Sequence, residues 1–128
     1  MSREIDVGTP VLLWLDSRRK WLVEVKEEEF HTHKGIVKLS ELVGKSFGDT
    51  VTTSTGNRMY ALRPSLCDKL SFFDRPTQIL YPKDIGLLIL KLGLEPGKIV
   101  IEAGTGSGVV TATMANMVKP DGHVYSYD

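Results

Sequence analysis

Between positions 99 and 108 the chain reads Ile-Val-Ile-Glu-Ala-Gly-Thr-Gly-Ser-Gly. Those residue types, in that order, suit the binding of a nucleotide-like cofactor. Gly104, Gly106 and Gly108 can take backbone angles closed to other residues, and without a Cβ they let the main chain approach a ligand closely. A helix opening at Val109 would point its unpaired N–H groups into the same space. An acid, Glu102, precedes the glycines, and a second acid, Asp128, follows 20 residues after Gly108. In a right-handed strand–helix–strand unit the ends of adjacent parallel strands lie side by side, which places Asp128 to accept hydrogen bonds from two ribose hydroxyls. The spacing also discriminates between cofactors. A dinucleotide fingerprint is G-x-G-x-x-G, whereas these glycines fall as G-x-G-x-G and Val109 stands where the third fingerprint glycine belongs, which counts against NAD.

The elements that must position these residues are legible on either side. Ile99, Val100 and Ile101 are apolar without alternation, the pattern of a parallel strand covered on both faces. Val109 to Met117 reads as a helix, Lys119 to Gly122 as a turn and His123 to Tyr127 as a short strand. Upstream, a helix is predicted from Tyr81-Pro-Lys-Asp84 through Leu92, with Ile85, Leu88, Ile89 and Leu92 at helical intervals and Gly93 as its cap. The first 63 residues differ in character. Apolar runs at Pro10–Leu15, Trp21–Val25, Gly35–Leu39, Asp49–Thr53 and Arg58–Leu62 are separated by turn signals, an all-β rhythm with hairpin turns at Asp16–Arg19 and Thr55–Asn57. Thr50 to Thr55 suits an exposed strand, and Trp14 and Trp21 are expected in the core. Leu66 to Phe73 is a short helix or an irregular connector. The fold expected is α/β: a small β-domain, barrel-like or sandwich-like, over residues 1–74, then the start of a Rossmann-like domain over 75–128, with the boundary near Asp74-Arg-Pro76.

Composition narrows the possibilities. Of 128 residues, 41% are hydrophobic and 25% charged, ordinary for a globular protein and against disorder. The 16 Lys and Arg balance the 16 Asp and Glu, with 12 against 11 over residues 1–82 and 4 against 5 over the remainder, so neither half is a basic arm. The apolar run Val11–Leu15 is too short for a membrane span or a secretory core, and a cytoplasmic location is expected. Cys67 is the sole cysteine, which rules out an intramolecular disulfide and points to a buried thiol. His31 and His33 flank Thr32 in an expected turn. No further Cys or His cluster accompanies them, so no metal is expected, and they fix the turn or contact RNA. Arg18, Arg19, Lys20, Lys34, Arg58 and Arg75 are surface cations, available as phosphate contacts or simply solvated.

With these motifs placed, the whole chain resembles the amino-terminal half of the tRNA 1-methyladenosine methyltransferases that modify position 58 of the T loop. The resemblance rests on Thr32-His-Lys-Gly35, Leu42-Val-Gly44, Val51-Thr-Thr-Ser-Thr-Gly56, Leu62-Arg-Pro64, Arg75-Pro-Thr-Gln-Ile-Leu-Tyr-Pro-Lys-Asp84, Glu102-Ala-Gly-Thr-Gly-Ser-Gly108 and Val124-Tyr-Ser-Tyr-Asp128. It implies a β-domain joined to a Rossmann-like methyltransferase domain, S-adenosylmethionine as donor, tRNA as substrate and a homotetramer. It further implies that Ala103, Gly104, Thr105, Gly106 and Ser107, with Gly108, wrap the methionine and ribose portions of the donor. Gln78, Ile79 and Leu80 would lie beside it, although Ile79 and Leu80 also suit a core. Glu102 faces the methionine ammonium or bonds nearby backbone. Lys83 and Asp84 are equally explained as helix-start residues. Asp128 departs from the family pattern, which has Glu at this place; the shorter acid keeps the charge and shifts the ribose contact.

A cofactor-binding α/β domain ordinarily has five or more strands, and two are predicted here, so the expectation is a portion of a longer protein. In the resembled family the acid beside the reacting adenine sits at the end of a later strand. No catalytic residue is therefore assigned up to Asp128, and the 128-residue chain alone is expected to be inactive and to bind the donor weakly or not at all. Two other readings remain: a non-catalytic tRNA-binding or assembly subunit, against which the intact glycines argue, and a nicotinamide oxidoreductase, disfavoured by Val109.

Overall fold

The computed structural model of the chain describes residues 2–72 and 80–128. It divides into two compact units, Met1–Lys69 and Leu70–Asp128. The boundary expected near Asp74-Arg75-Pro76 lies outside the described residues.

In the first unit six strands form two antiparallel sheets. β1 (Pro10–Trp14), β2 (Lys20–Glu24), β5 (Thr50–Thr52) and β6 (Arg58–Leu62) make a four-stranded sheet in the order β2-β1-β6-β5, while β3 (Glu29–Thr32) pairs with β4 (Gly35–Lys38). A 3-10 turn, Leu39–Leu42, follows β4. Alternation along the strands explains the core. Val11 and Leu13 of β1, Val23 of β2, Val51 of β5 and Met59 and Ala61 of β6 turn inward, and Val37, Leu39 and Leu42 join them from β4 and the turn. Trp21 packs against this core, half-buried, and Trp14 is half-buried with its ring 6.1 Å from that of Tyr60.

Two motifs far apart in the sequence meet in this unit. The Lys34 carbonyl, in the two-residue turn between β3 and β4, accepts hydrogen bonds from Thr53 Oγ1 (2.8 Å), Thr55 Oγ1 (2.6 Å) and Asn57 Nδ2 (3.0 Å). Gly35 sits beneath this cluster at φ 110°, where an added Cβ would lie 2.7 Å from Thr55 Oγ1 and 2.9 Å from Thr53 Cβ. Just past β6, the Arg63 guanidinium stacks 4.2 Å from the Phe47 ring centre and donates to the Ser2 carbonyl.

α1 (Leu66–Ser71) resolves the connector as a helix. None of its residues is buried, and Cys67 is exposed rather than the buried thiol expected, because so short a helix lays no face on a core. Two other expectations change. Glu29–Thr32 is a strand that contains His31, leaving only His33 and Lys34 in the turn. β5 is an edge strand whose Val51, like the following Thr53, is buried rather than exposed.

In the second unit α2 (Pro82–Leu92) starts with proline in its first turn and ends at Gly93, whose left-handed conformation lets its N–H reach the last carbonyls. β7 (Ile99–Ala103), α3 (Val109–Val118) and β8 (His123–Tyr127) complete a strand–helix–strand unit with β7 and β8 parallel. α3 covers one face of the pair: Val100, Met114 and Val118 are buried together, and Thr113 Oγ1 satisfies itself on the Val109 carbonyl at 2.8 Å. The other face is open within the described residues, with Ile99 72% and Ile101 77% exposed. The expectation of a strand covered on both faces therefore holds for one face only. Ile85 alone of its helical stripe is fully buried, and Leu92 is exposed. No described helix is long and apolar enough to cross a membrane.

Two predictions follow from the turns of the first unit. Gly35→Ala is expected to destabilise it by about 2–4 kcal/mol, from positive-φ strain and collision with Thr53 and Thr55; urea unfolding measures this, and a loss below about 0.5 kcal/mol contradicts the packing described. At the first hairpin, Asp16 Oδ2 accepts from Arg19 Nε at 2.6 Å and Oδ1 accepts from the Arg18 and Arg19 N–H groups at 2.9 Å. Chiefly through the Arg19 side chain, these hold the Asp16 carboxyl at about 2, below its ordinary 3.8. A carboxyl depressed by folding stabilises fully above its unfolded pKa and loses that contribution as pH falls through the folded value. The turn should thus keep its grip at pH 4 and release it near pH 2. A carboxyl-carbon NMR titration of Asp16 with its midpoint at 3.8 would contradict this.

Candidate functional site

The parallel ladder sets the site. Pairs run in register from Ile99 with His123 to Ala103 with Tyr127, so both strands end at the same level. The next residue, Gly104, donates its N–H to the Tyr127 carbonyl at 2.6 Å, and the chain then turns through Gly104 (φ 89°), Gly106 (φ 54°) and Gly108 (φ 82°) into α3. Positive φ at all three alternate positions is the physical reason for the G-x-G-x-G spacing. Gly108 N–H bonds to the Thr105 carbonyl at 2.9 Å and Gly108 caps α3.

This turn, β7 and α3 enclose an open hollow of about 160 Å³. Glu102, Gly104, Thr105, Gly106 and Ser107 line it, together with Leu80 and with Val109 and Val110 of α3. Of the residues singled out from sequence, Ala103 is exposed at the end of β7, on the alternate face from Glu102, and Gly108 caps the helix; neither lines the hollow. Asp128 is exposed immediately after β8 and does not line it either. Gln78 and Ile79 lie outside the described residues. Val109 and Val110, not assigned to the site from sequence, supply the apolar wall.

Glu102 is the one titratable side chain among the lining residues. Its Oε2 accepts from Thr111 Oγ1 at 2.5 Å and from Ser126 Oγ at 2.6 Å, and Ser126 Oγ lies 2.6 Å from Thr105 Oγ1. It therefore holds two side-chain hydroxyls, where the sequence left ligand ammonium and local backbone open. Thr111 and Ser126 escape a sequence reading because they stand 9 and 24 positions from Glu102.

The residues present fit an adenosyl-type donor in part. An added Cβ at Gly104 or Gly108 would meet nothing within 4 Å, so the turn leaves room for a ligand beside its backbone. The volume is about half the roughly 300 Å³ at which small-molecule pockets begin, enough for a portion of such a molecule. No histidine is among the residues that line the hollow: His31 Nε2 is 3.6 Å from Glu29, His33 rests 5.8 Å from the Trp21 ring, and His123 lies against Tyr125.

A parallel strand–glycine turn–helix with an acid at the end of the first strand defines an α/β unit of the kind found in S-adenosylmethionine-dependent methyltransferases. A solved structure from Thermotoga maritima, titled a SAM-dependent O-methyltransferase, superposes with a TM-score of 0.88 at 36% identity, over 98% of this chain and 48% of that one. The family model for the tRNA methyltransferase complex GCD14 subunit matches residues 60–128, and the chain belongs to that family. Among curated relatives, the Methanocaldococcus jannaschii tRNA (adenine(57)-N(1)/adenine(58)-N(1))-methyltransferase TrmI is 35% identical over 91% of this chain and 40% of its own length. The Thermus thermophilus tRNA (adenine(58)-N(1))-methyltransferase TrmI is 39% identical over 93% of this chain and 47% of its own length. The chain thus spans 40–48% of the length of these three proteins.

The carboxylate network yields a stability prediction. Thr111→Val keeps the branched shape while removing one donor to a half-buried carboxylate, and is expected to cost about 1–2 kcal/mol. Thermal unfolding checks it, a change within about 0.3 kcal/mol speaking against the bond.

Proposed function

We propose that this chain supplies the amino-terminal domain and the first half of the donor site of an S-adenosylmethionine-dependent enzyme that methylates adenine N1 in the T loop of tRNA, at position 58. The observation that carries the reading is the glycine turn itself: three positive-φ glycines beneath an open hollow with Glu102 at its edge, in a chain whose curated relatives are named for that reaction. Glu102, Gly104, Thr105, Gly106 and Ser107 would hold the amino-acid and ribose portions of the donor. Leu80, with Gln78 and Ile79, would lie alongside, and Ala103 and Gly108 would shape the turn. Asp128, one residue beyond β8, would take the ribose hydroxyls. The donor supplies an electrophilic methyl group.

The adenine N1 lies on the Watson–Crick edge, so the base must be extruded from the folded tRNA before it can meet that methyl in line. Holding two bound reactants in that geometry can supply roughly 7–11 kcal/mol of the barrier. Methylation leaves positive charge on the base, which a carboxylate near the exocyclic amine would stabilise. Glu102 is unsuited to that task because Thr111 and Ser126 already hold it at the donor end. A cytoplasmic homotetramer of the longer protein accords with the same reading. The intact glycine turn speaks against the alternative, a subunit that only binds tRNA or assists assembly.

Amide NMR titration of the chain with S-adenosylhomocysteine and, separately, with NADH tests the reading. Shifts confined to Gly104–Gly108 and Glu102, at weak affinity and stronger for the adenosyl sulfide, are expected. Tighter binding of NADH, or methylated adenine formed on tRNA by this 128-residue chain alone, would overturn it.

A further inference from the structure

Three hydroxyls and one carboxylate form a continuous chain beside the hollow: Thr111 and Ser126 to Glu102 Oε2, and Thr105 to Ser126. Each hydroxyl owns a single hydrogen, and an ionised carboxylate owns none. The separations to Oε2, 2.5 and 2.6 Å, fall in the range of charge-assisted O–H···O⁻ bonds. Thr111 and Ser126 therefore both direct their hydrogens at Glu102. Ser126 then has only lone pairs left for Thr105, and two oxygens 2.6 Å apart require a hydrogen between them. Thr105 must be the donor. Every hydroxyl hydrogen in this network points toward Glu102, and what these four side chains leave unused is acceptor only: the remaining lone pairs of Thr105 Oγ1, and Glu102 Oε1, which has no hydrogen-bond partner among the described residues.

We propose that Ser126, which does not line the hollow, is a positioning residue that sets the hydrogen-bonding sense of this wall, so that the wall selects a ligand group that only donates, an ammonium, over one that accepts or is apolar. By consuming the Thr105 hydrogen, Ser126 keeps Thr105 from presenting an O–H to the ligand; by bonding Oε2 alongside Thr111, it keeps Oε1 available. The proposal rests on the adenosyl-donor reading for the identity of its probes and on the geometry alone for the direction of the hydrogens.

The test uses this chain, with Ser126→Ala and Ser126→Thr, titrated by amide NMR with S-adenosylhomocysteine and with its deaminated analogue. The unsubstituted chain should favour the amine-bearing ligand by roughly tenfold, the scale of one hydrogen bond to a charged group. Ser126→Ala should shrink that ratio by roughly threefold or more, and Ser126→Thr, which keeps the hydroxyl, should restore it. An unchanged ratio in a folded Ser126→Ala chain overturns the proposal. The hydroxyl proton of Thr105 in the unsubstituted chain gives a ligand-free measurement, which still decides if Ser126→Ala fails to fold. Slow solvent exchange with cross-relaxation to the Ser126 β-protons supports the stated direction, and exchange as fast as that of an exposed threonine refutes it. If S-adenosylhomocysteine shifts no amide between Gly104 and Gly108, an outcome the donor reading allows for half a site, the hydroxyl proton alone judges the role of Ser126.

Discussion

Five parallel pairs, Ile99 with His123 through Ala103 with Tyr127, bring two strand ends to one level, and the chemistry of the second unit depends on that alignment. Had β8 slipped by one residue, Ser126 would point to the opposite face and Glu102 would lose a donor. The register in turn rests on α3, whose Met114 and Val118 bury Val100 and pack against Val124. Backbone bonds at the far end, from Gly97 and Gly122 to the Val118 carbonyl and from His123 to the Lys98 carbonyl, fix where both strands begin. Packing of the helix, pairing of the strands and orientation of one carboxylate are thus one structural fact.

The first unit solves a different problem. Its sheets are small, and it gains definition from polar anchors at its turns: Asp16 on the Arg18 and Arg19 amides, and the Lys34 carbonyl held by Thr53, Thr55 and Asn57. These account for two stretches of the resemblance, Thr32–Gly35 and Val51–Gly56, as the two sides of a single contact. Thr53 is buried and reads as polar in sequence, yet its hydroxyl donates to Lys34 and accepts from the Asn57 N–H, so its burial costs little.

Much of this was legible in the residues themselves. The strand, glycine turn and helix from Ile99 to Val118 follow from local rules, because glycine spacing and apolar periodicity act within a few positions. β3 was not legible: Glu29-Phe-His-Thr carries one large apolar residue, and its strand character comes from pairing with Gly35–Lys38. The two-faced burial expected of Ile99 and Ile101 is not found because apolar sequence states what a strand tolerates, while cover requires a neighbour. The partners of Glu102 were hidden for a related reason. Thr111 and Ser126 are unremarkable in a helix and a strand, and only the right-handed crossover between β7 and β8 gathers them around one oxygen.

The exposure of α1 has a practical side. Cys67 is the chain's one thiol and sits exposed on that helix, near the end of the first compact unit and outside that unit's core cluster. A spin label or fluorophore attached there would be the single one on the 128-residue chain, with no competing thiol to remove. The chain thereby offers a ready handle for reporting the surroundings of the last helix of its first unit.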